Sequence, residues 1–135
     1  MSRTRILIVD DNRPLAKLVG IRLEQTGHYT VRVEHMPQVA IKAAHEFQPH
    51  LMLLDVDMPG MNGPELQRVI RKEPAFSQTP VIFLTSLISS DEAGDREMIS
   101  NGSRFLSKSA AIEVVHRCIS RAIAAVAGPR PVALN

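Results

Sequence analysis

Residues 51–63 read LMLLDVDMPGMNG. Four apolar residues run straight into Asp55, a second acid follows at Asp57, and the chain then breaks into Pro59, Gly60 and Gly63. A short uninterrupted apolar run closed by turn residues is the pattern of a strand covered on both faces, as in a parallel sheet. On its own, the acid ending such a run is most often the start of a solvated loop. Its role depends on what the rest of the chain places beside it.

Outward from this strand the same alternation repeats. ILIVD (6–10) and VIFLT (81–85) are further buried-type strands, YTVRVE (29–34) alternates as a half-buried edge strand does, and RFLSK (104–108) is the fifth. The stretch 12–27 predicts a helix capped by Asn12, with Pro14 in its first turn, Gly27 as its stop, and Leu15, Leu18, Val19 and Leu23 on its apolar side. Helices are also expected at 37–47 on Val39, Ala40, Ala43 and Phe47, at 64–72 on Leu66, Val69 and Ile70, and at 110–127 on Ile112, Val115, Ile119, Ala122 and Val126. Within 86–102, Ser89 and Glu92 have capping-box spacing, but Gly94 and a thin apolar stripe predict a poor helix. Five strands alternating with five helices specify an α/β fold with a parallel sheet.

The composition narrows the function. With 135 residues, 44% of them hydrophobic, the chain is long enough for one domain with a proper core. Sixteen basic against fourteen acidic residues leave a net charge of +2, and the bases are scattered, which argues against a nucleic-acid surface. One cysteine, Cys118, excludes an intrachain disulfide and a cysteine-rich metal site. No segment has the length of a membrane span, and the N-terminus turns acidic too soon for a signal peptide, so the expected address is the reducing cytoplasm. The expected organisation is one domain over 1–128, followed by a flexible tail or linker start at 129–135.

In parallel α/β sheets, ligands bind beyond the C-terminal strand ends. Those ends carry Asp10 and Asp11, Asp55, Thr85 and Ser86, and Lys108. Each has a bland reading: a turn, a loop acid, a β-branched strand end, a solvated lysine. Their coincidence at one sheet edge is what points to chemistry. Three converging carboxylates repel one another, and a hard divalent cation such as Mg²⁺ relieves that with oxygen ligands alone. Lys108 supplies a point charge for a phosphoryl group and Thr85 a hydroxyl. These parts fit phosphoryl transfer, with Asp55 as a carboxylate nucleophile forming an acyl phosphate.

Taken together, ILIVDDN, LMLLDVDMPGMNG, VIFLTS and RFLSK resemble the response-regulator receiver domains of two-component signalling, similar to the single-domain chemotaxis regulators, over residues 5 to 127. The resemblance implies a flavodoxin-like (βα)5 three-layer sandwich with a five-stranded sheet in the order 2-1-3-4-5. It implies that Asp55 accepts phosphate from a phosphohistidine on a histidine kinase or phosphotransfer protein. Asp11, Asp10, Asp55 and the Asp57 backbone carbonyl would hold Mg²⁺, Lys108 and Thr85 would contact the phosphoryl group, and Thr85 and Phe105 would act as switch residues. Asp57 and Leu87 occupy the positions that tune dephosphorylation. Output would pass to a partner protein, or to a further domain of a longer chain, through the face of the fourth helix, fifth strand and fifth helix. One departure is Ser109, where the family usually has proline; the bond before it is expected trans, since a non-proline cis bond costs about 2.5–4 kcal/mol. The interval from Thr85 to Lys108 is also about a residue longer than usual.

Two other classes fit less well. DVDMP resembles the nucleophile loop of haloacid-dehalogenase-type phosphatases, but two strands precede it and Pro59 stands at its fifth position. A docking module that is never phosphorylated would not need the intact acid set.

Overall fold

The structure, a computed structural model, describes residues 3–86 and 98–127. The strands are β1 (Thr4–Val9), β2 (Tyr29–Glu34), β3 (Leu51–Asp55), β4 (Val81–Thr85), β5 (Met98–Ser100) and β6 (Ser103–Ser107). The helices are α1 (Arg13–Gln25), α2 (Ala40–Phe47), α3 (Gly63–Arg71) and α4 (Ile112–Ala127). The sheet order is β2-β1-β3-β4-β6-β5, parallel throughout except for the β5–β6 pair. Its five parallel strands follow the expected 2-1-3-4-5 order.

The sixth strand corrects the expected five-stranded sheet. Met98–Ser100 closes a stretch read as helix-bearing, yet it pairs antiparallel with Ser103–Ser107. Asn101 (φ 51°) and Gly102 (φ 79°) both lie in the left-handed region between Ser100 and Ser103. A two-residue Asn-Gly loop of this conformation matches the twist of a hairpin, and it is the local signal that overrides helix there. The remainder of the expected fourth helix, Leu87 and the expected tail at 129–135 lie outside the described residues.

Both sheet faces are covered, as the apolar runs require. Ile6, Ile8, Leu51, Leu53, Ile82, Leu84 and Leu106 meet α1 and α4 on one face, while Leu7, Val9, Met52, Leu54 and Phe83 meet α2 and α3 on the other. Asn12 caps α1 by accepting the Leu15 N–H, and Gly27 (φ 85°) stops it with its N–H on Glu24 O. The buried side of α1 is Ala16, Gly20 and Leu23, whereas Leu18 is 51% exposed. Of the expected apolar side, Leu23 is buried, Val19 packs against the core and Leu15 is half-buried, while Leu18 turns outward. A Cβ on Gly20 would stand 3.3 Å from the Val31 side chain, so α1 packs closely on β2 and a larger residue there requires Val31 to shift. Val69 on α3 and Val126 on α4, also expected to face inward, are exposed.

β2 forms one outer edge of the sheet. His28 O and Glu34 O accept from Thr4 and Asp10, so even-numbered residues bond toward β1 and odd-numbered ones face outward. The outward Val31 N–H donates to Glu24 Oε2 at 3.0 Å. β5, three residues long, forms the other edge among the described residues, with Ile99 63% exposed.

His50 sits at the start of β3, where its Nδ1 accepts the Arg5 N–H at 2.9 Å and its own N–H donates to Arg5 O. Burial, and then the Arg5 charge, lower its pKa from the ordinary 6.5. The unfolded chain therefore binds this proton better than the folded one. The contribution is complete above the ordinary value and is lost as pH falls below it. Urea unfolding at about pH 7.5 and about pH 5.5 is expected to show the lower midpoint at the acid pH, with a smaller loss in His50→Asn, whose Oδ1 accepts in the Nδ1 position without titrating.

Candidate functional site

The parallel register builds the site. Val9 aligns with Leu54, so the next residues, Asp10 and Asp55, emerge side by side at the C-terminal edge. Asp55 aligns with Leu84, one residue before Thr85, and Thr85 aligns with Ser107, one residue before Lys108. All the strand-end residues singled out from the sequence within the described chain therefore meet at one edge. Asp10 and Asp55 are 0% and 2% exposed, Thr85 is buried, and Asp11 and Asp57 are exposed.

Carboxylate oxygens of Asp10, Asp11 and Asp55 lie within 4.8 Å of one another. Lys108 Nζ stands 3.0 Å from Asp55 Oδ1 and 3.3 Å from each Asp10 oxygen. Backbone donors hold the inner oxygens: Asn12 N–H donates to Asp10 Oδ1 at 2.9 Å and Asp57 N–H to Asp55 Oδ1 at 3.2 Å. Among the described residues, the buried Asp10 Oδ2 and Asp55 Oδ2 accept no hydrogen bond, and Asp10 Oδ2 has only its 3.3 Å ion pair with Lys108. Two under-satisfied buried anionic oxygens beside a third carboxylate, in a cluster whose described ligands are all oxygen, fit a hard divalent cation.

Protonation equilibria follow the crowding. Burial raises the Asp55 pKa; Lys108 and the Asp57 N–H oppose this and the Asp10 carboxyl reinforces it, with a net rise. Asp11 is raised as well, by desolvation first and by Asp55 next. Burial of Lys108 disfavours its charge, but its bonds to the two acids outweigh that and raise its pKa.

Phe105 on β6 is half-buried against Phe83, with ring centroids 5.3 Å apart. The bond before Ser109 is trans, as expected. The Ser109 N–H, which a proline would lack, donates to Ser107 Oγ at 3.1 Å, and the two hydroxyls are 2.8 Å apart. Lys108 N–H donates to Thr85 O at 2.9 Å, fixing the lysine backbone to the end of β4. Sequence reasoning missed His35, whose Nδ1 lies 3.0 Å from the Asp10 carbonyl oxygen. It directly follows β2, the one strand end left out of the inspection, and that position was the available signal.

The profile of the response regulator receiver domain matches residues 6–120. The chain belongs to this family. The receiver domain is 42% identical over 86 residues to the transcriptional regulatory protein YkoG of Bacillus subtilis, covering 64% of this chain and 36% of YkoG. It is 42% identical over 84 residues to the DNA-binding response regulator MtrA of Mycobacterium tuberculosis, covering 62% of this chain and 35% of MtrA. The chain thus spans about a third of the length of these relatives. Among solved structures, it superposes with a TM-score of 0.72 on the signal receiver domain of a histidine kinase from Syntrophus aciditrophicus, at 28% identity over 97% of this chain and 98% of the other. A receiver domain is a signalling switch of a two-component system rather than a conventional enzyme, which disfavours the phosphatase reading. It implies a phosphodonor partner such as a histidine kinase and an output partner, and its acidic pocket is of the kind that binds Mg²⁺. Among the described residues, no helix is long and apolar enough to cross a membrane.

The floor of the site leaves no room for change. A Cβ on Gly63, the first residue of α3, would lie 2.5 Å from Asp55 O and 3.1 Å from the Phe83 ring. Gly63→Ala must therefore push α3 away from β3 or displace Asp55. In the receiver domain this substitution is expected to cost about 1–3 kcal/mol in urea unfolding, the usual range for overpacking; an unchanged midpoint would contradict the close approach.

Proposed function

We propose that Asp55 is the phosphoacceptor of this receiver domain, taking a phosphoryl group from the phosphohistidine of a histidine kinase or phosphotransfer protein. The observation that carries this is the orphaned, buried Asp55 Oδ2 beside Asp10, Asp11 and the Lys108 ammonium. One Asp55 oxygen attacks phosphorus in line. The new O–P bond forms as the N–P bond to the donor imidazole breaks, and the imidazole nitrogen leaves with that electron pair and takes up a proton. Mg²⁺, held by Asp10, Asp11, Asp55 and the Asp57 backbone carbonyl, would supply charge neutralisation and a seat for a phosphoryl oxygen.

Lys108 exchanges part of its contact with the acids for the phosphoryl oxygens, and the Thr85 hydroxyl donates to them. Thr85 movement frees space toward Phe105, whose rotamer change alters the face carrying β6 and α4. Phosphorylation thereby shifts a population that already exists. Residues 1–128 act as the signalling unit, and 129–135 as a tail or linker start. For a longer chain carrying this domain, the description of MtrA as DNA-binding suggests one candidate output, reached through a separate domain. Slow loss of phosphate is part of the reading: Leu87 offers no group to orient an attacking water, and the Asp57 charge repels the phosphoryl dianion.

Acetyl phosphate with Mg²⁺ is expected to give a phosphorylated mass in the wild type and none in Asp55→Asn, whose circular dichroism stays native. A phosphorylated Asp55→Asn protein would sink the assignment. Leu87→Glu is expected to lose phosphate faster by on the order of ten- to a thousand-fold, the worth of a positioned water. Loss within seconds from the wild type, or no acceleration in the variant, would refute slow dephosphorylation.

A further inference from the structure

The Asp10 backbone is gripped from both sides by two consecutive residues at the end of β2. Its N–H donates to Glu34 O at 3.0 Å, and its carbonyl oxygen lies 3.0 Å from His35 Nδ1. A carbonyl only accepts, so Nδ1 carries the proton and His35 is the donor. His35 is half-buried and reaches across the sheet edge from the β2–α2 connection.

We propose that His35 is a positioning residue for the acid cluster: by fixing the plane of the Asp10–Asp11 peptide, it holds Asp11 where its carboxylate meets those of Asp10 and Asp55. The inference rests on the cation reading above. The Asp10 carbonyl belongs to the same peptide unit as the Asp11 N–H, so a hydrogen bond to one sets the direction in which the chain enters Asp11. Asp10 itself is anchored without His35, through Asn12 N–H, Lys108 and Glu34 O. Asp11 is exposed, and among the described residues its carboxylate interacts with Asp55, with its own backbone and with the Lys108 charge, without the backbone donor from a neighbouring residue that Asp10 has in Asn12. Its oxygens belong to the cluster through the backbone that carries them. Partners that orient metal ligands characteristically change metal affinity about 10- to 100-fold when removed.

The geometry separates three substitutions. His35→Ala removes the donor. His35→Asn places an amide N–H₂ where Nδ1 stood and restores it. His35→Gln keeps polarity and bulk, but puts its amide at the Nε2 position, beyond the carbonyl. Mg²⁺ titrations of the metal-free protein, followed by the amide resonances of Asp11 and Asp55, read affinity without any phosphodonor. The expected result is a dissociation constant about tenfold or more weaker in His35→Ala and His35→Gln, and near the wild-type value in His35→Asn. Asp11→Ala, run alongside, is expected to weaken binding at least as much. A merely structural histidine would lower unfolding midpoints and leave Mg²⁺ affinity of the folded protein unchanged; that outcome overturns the inference, as does failure of His35→Asn to rescue. If His35→Ala does not fold, the contrast between Gln and Asn decides. A wild type that binds no Mg²⁺ overturns the cation reading and this inference together, whereas a wild type that binds and a His35→Gln that binds equally well overturns this inference alone.

Discussion

Two carboxylates withdrawn from water face one ammonium, and the rest of the structure is arranged around that imbalance. Asp10 and Asp55 cannot avoid each other, because β1 and β3 are hydrogen-bonded neighbours whose register ends on these residues. An unpaired buried ion costs several kcal/mol, so neither acid is tolerable in its charged form without Lys108. With Asp11 included, the formal charge of the cluster is −3 + 1 = −2. Burial first, and the neighbouring carboxylates after it, raise the pKa values of Asp55 and Asp11. A divalent cation or an added proton would relieve this crowding.

The surrounding parts restrict where that relief can occur. β3 is buried along its whole length, so Asp55 stands on a rigid base. α3 presses against the Asp55 carbonyl through a position that only glycine fits. The Lys108 backbone is tied to the Thr85 carbonyl, which fixes where the lysine leaves the sheet edge relative to the end of β4. Ser107 and Ser109 make a local hydroxyl-to-backbone turn after β6, which gives this loop a definite shape without proline.

How much of this the sequence disclosed depended on the kind of signal. Strands buried on both faces leave uninterrupted runs such as LMLLD and VIFLT, and strand ends then locate the acids, Thr85 and Lys108 to the residue. Helix faces were harder to read. On α1 the expected Leu23 and Val19 do face the core, but Leu18 turns outward and the small residues Ala16 and Gly20 take the rest of the buried side. α2 was read better: the expected Ala40 and Ala43 are buried, together with Ala44. The β5–β6 hairpin was missed although Asn101–Gly102 announces it, because that pair was absorbed into the end of a helical stretch. His35 had only its place after β2 as a signal, since a side chain bonded to a distant backbone carbonyl has no fixed sequence spacing.

The two outer strands carry a consequence for behaviour in concentrated solution. An unpaired edge is a template on which other chains can add strands. β2 is six residues long, and Glu24 plugs its outward Val31 N–H, so an approaching strand must first displace a carboxylate. β5 has an exposed isoleucine at its centre and depends on brevity, since three residues offer few rungs to a newcomer. Lengthening β5 would trade colloidal stability for sheet, whereas lengthening β2 would leave its plug in place.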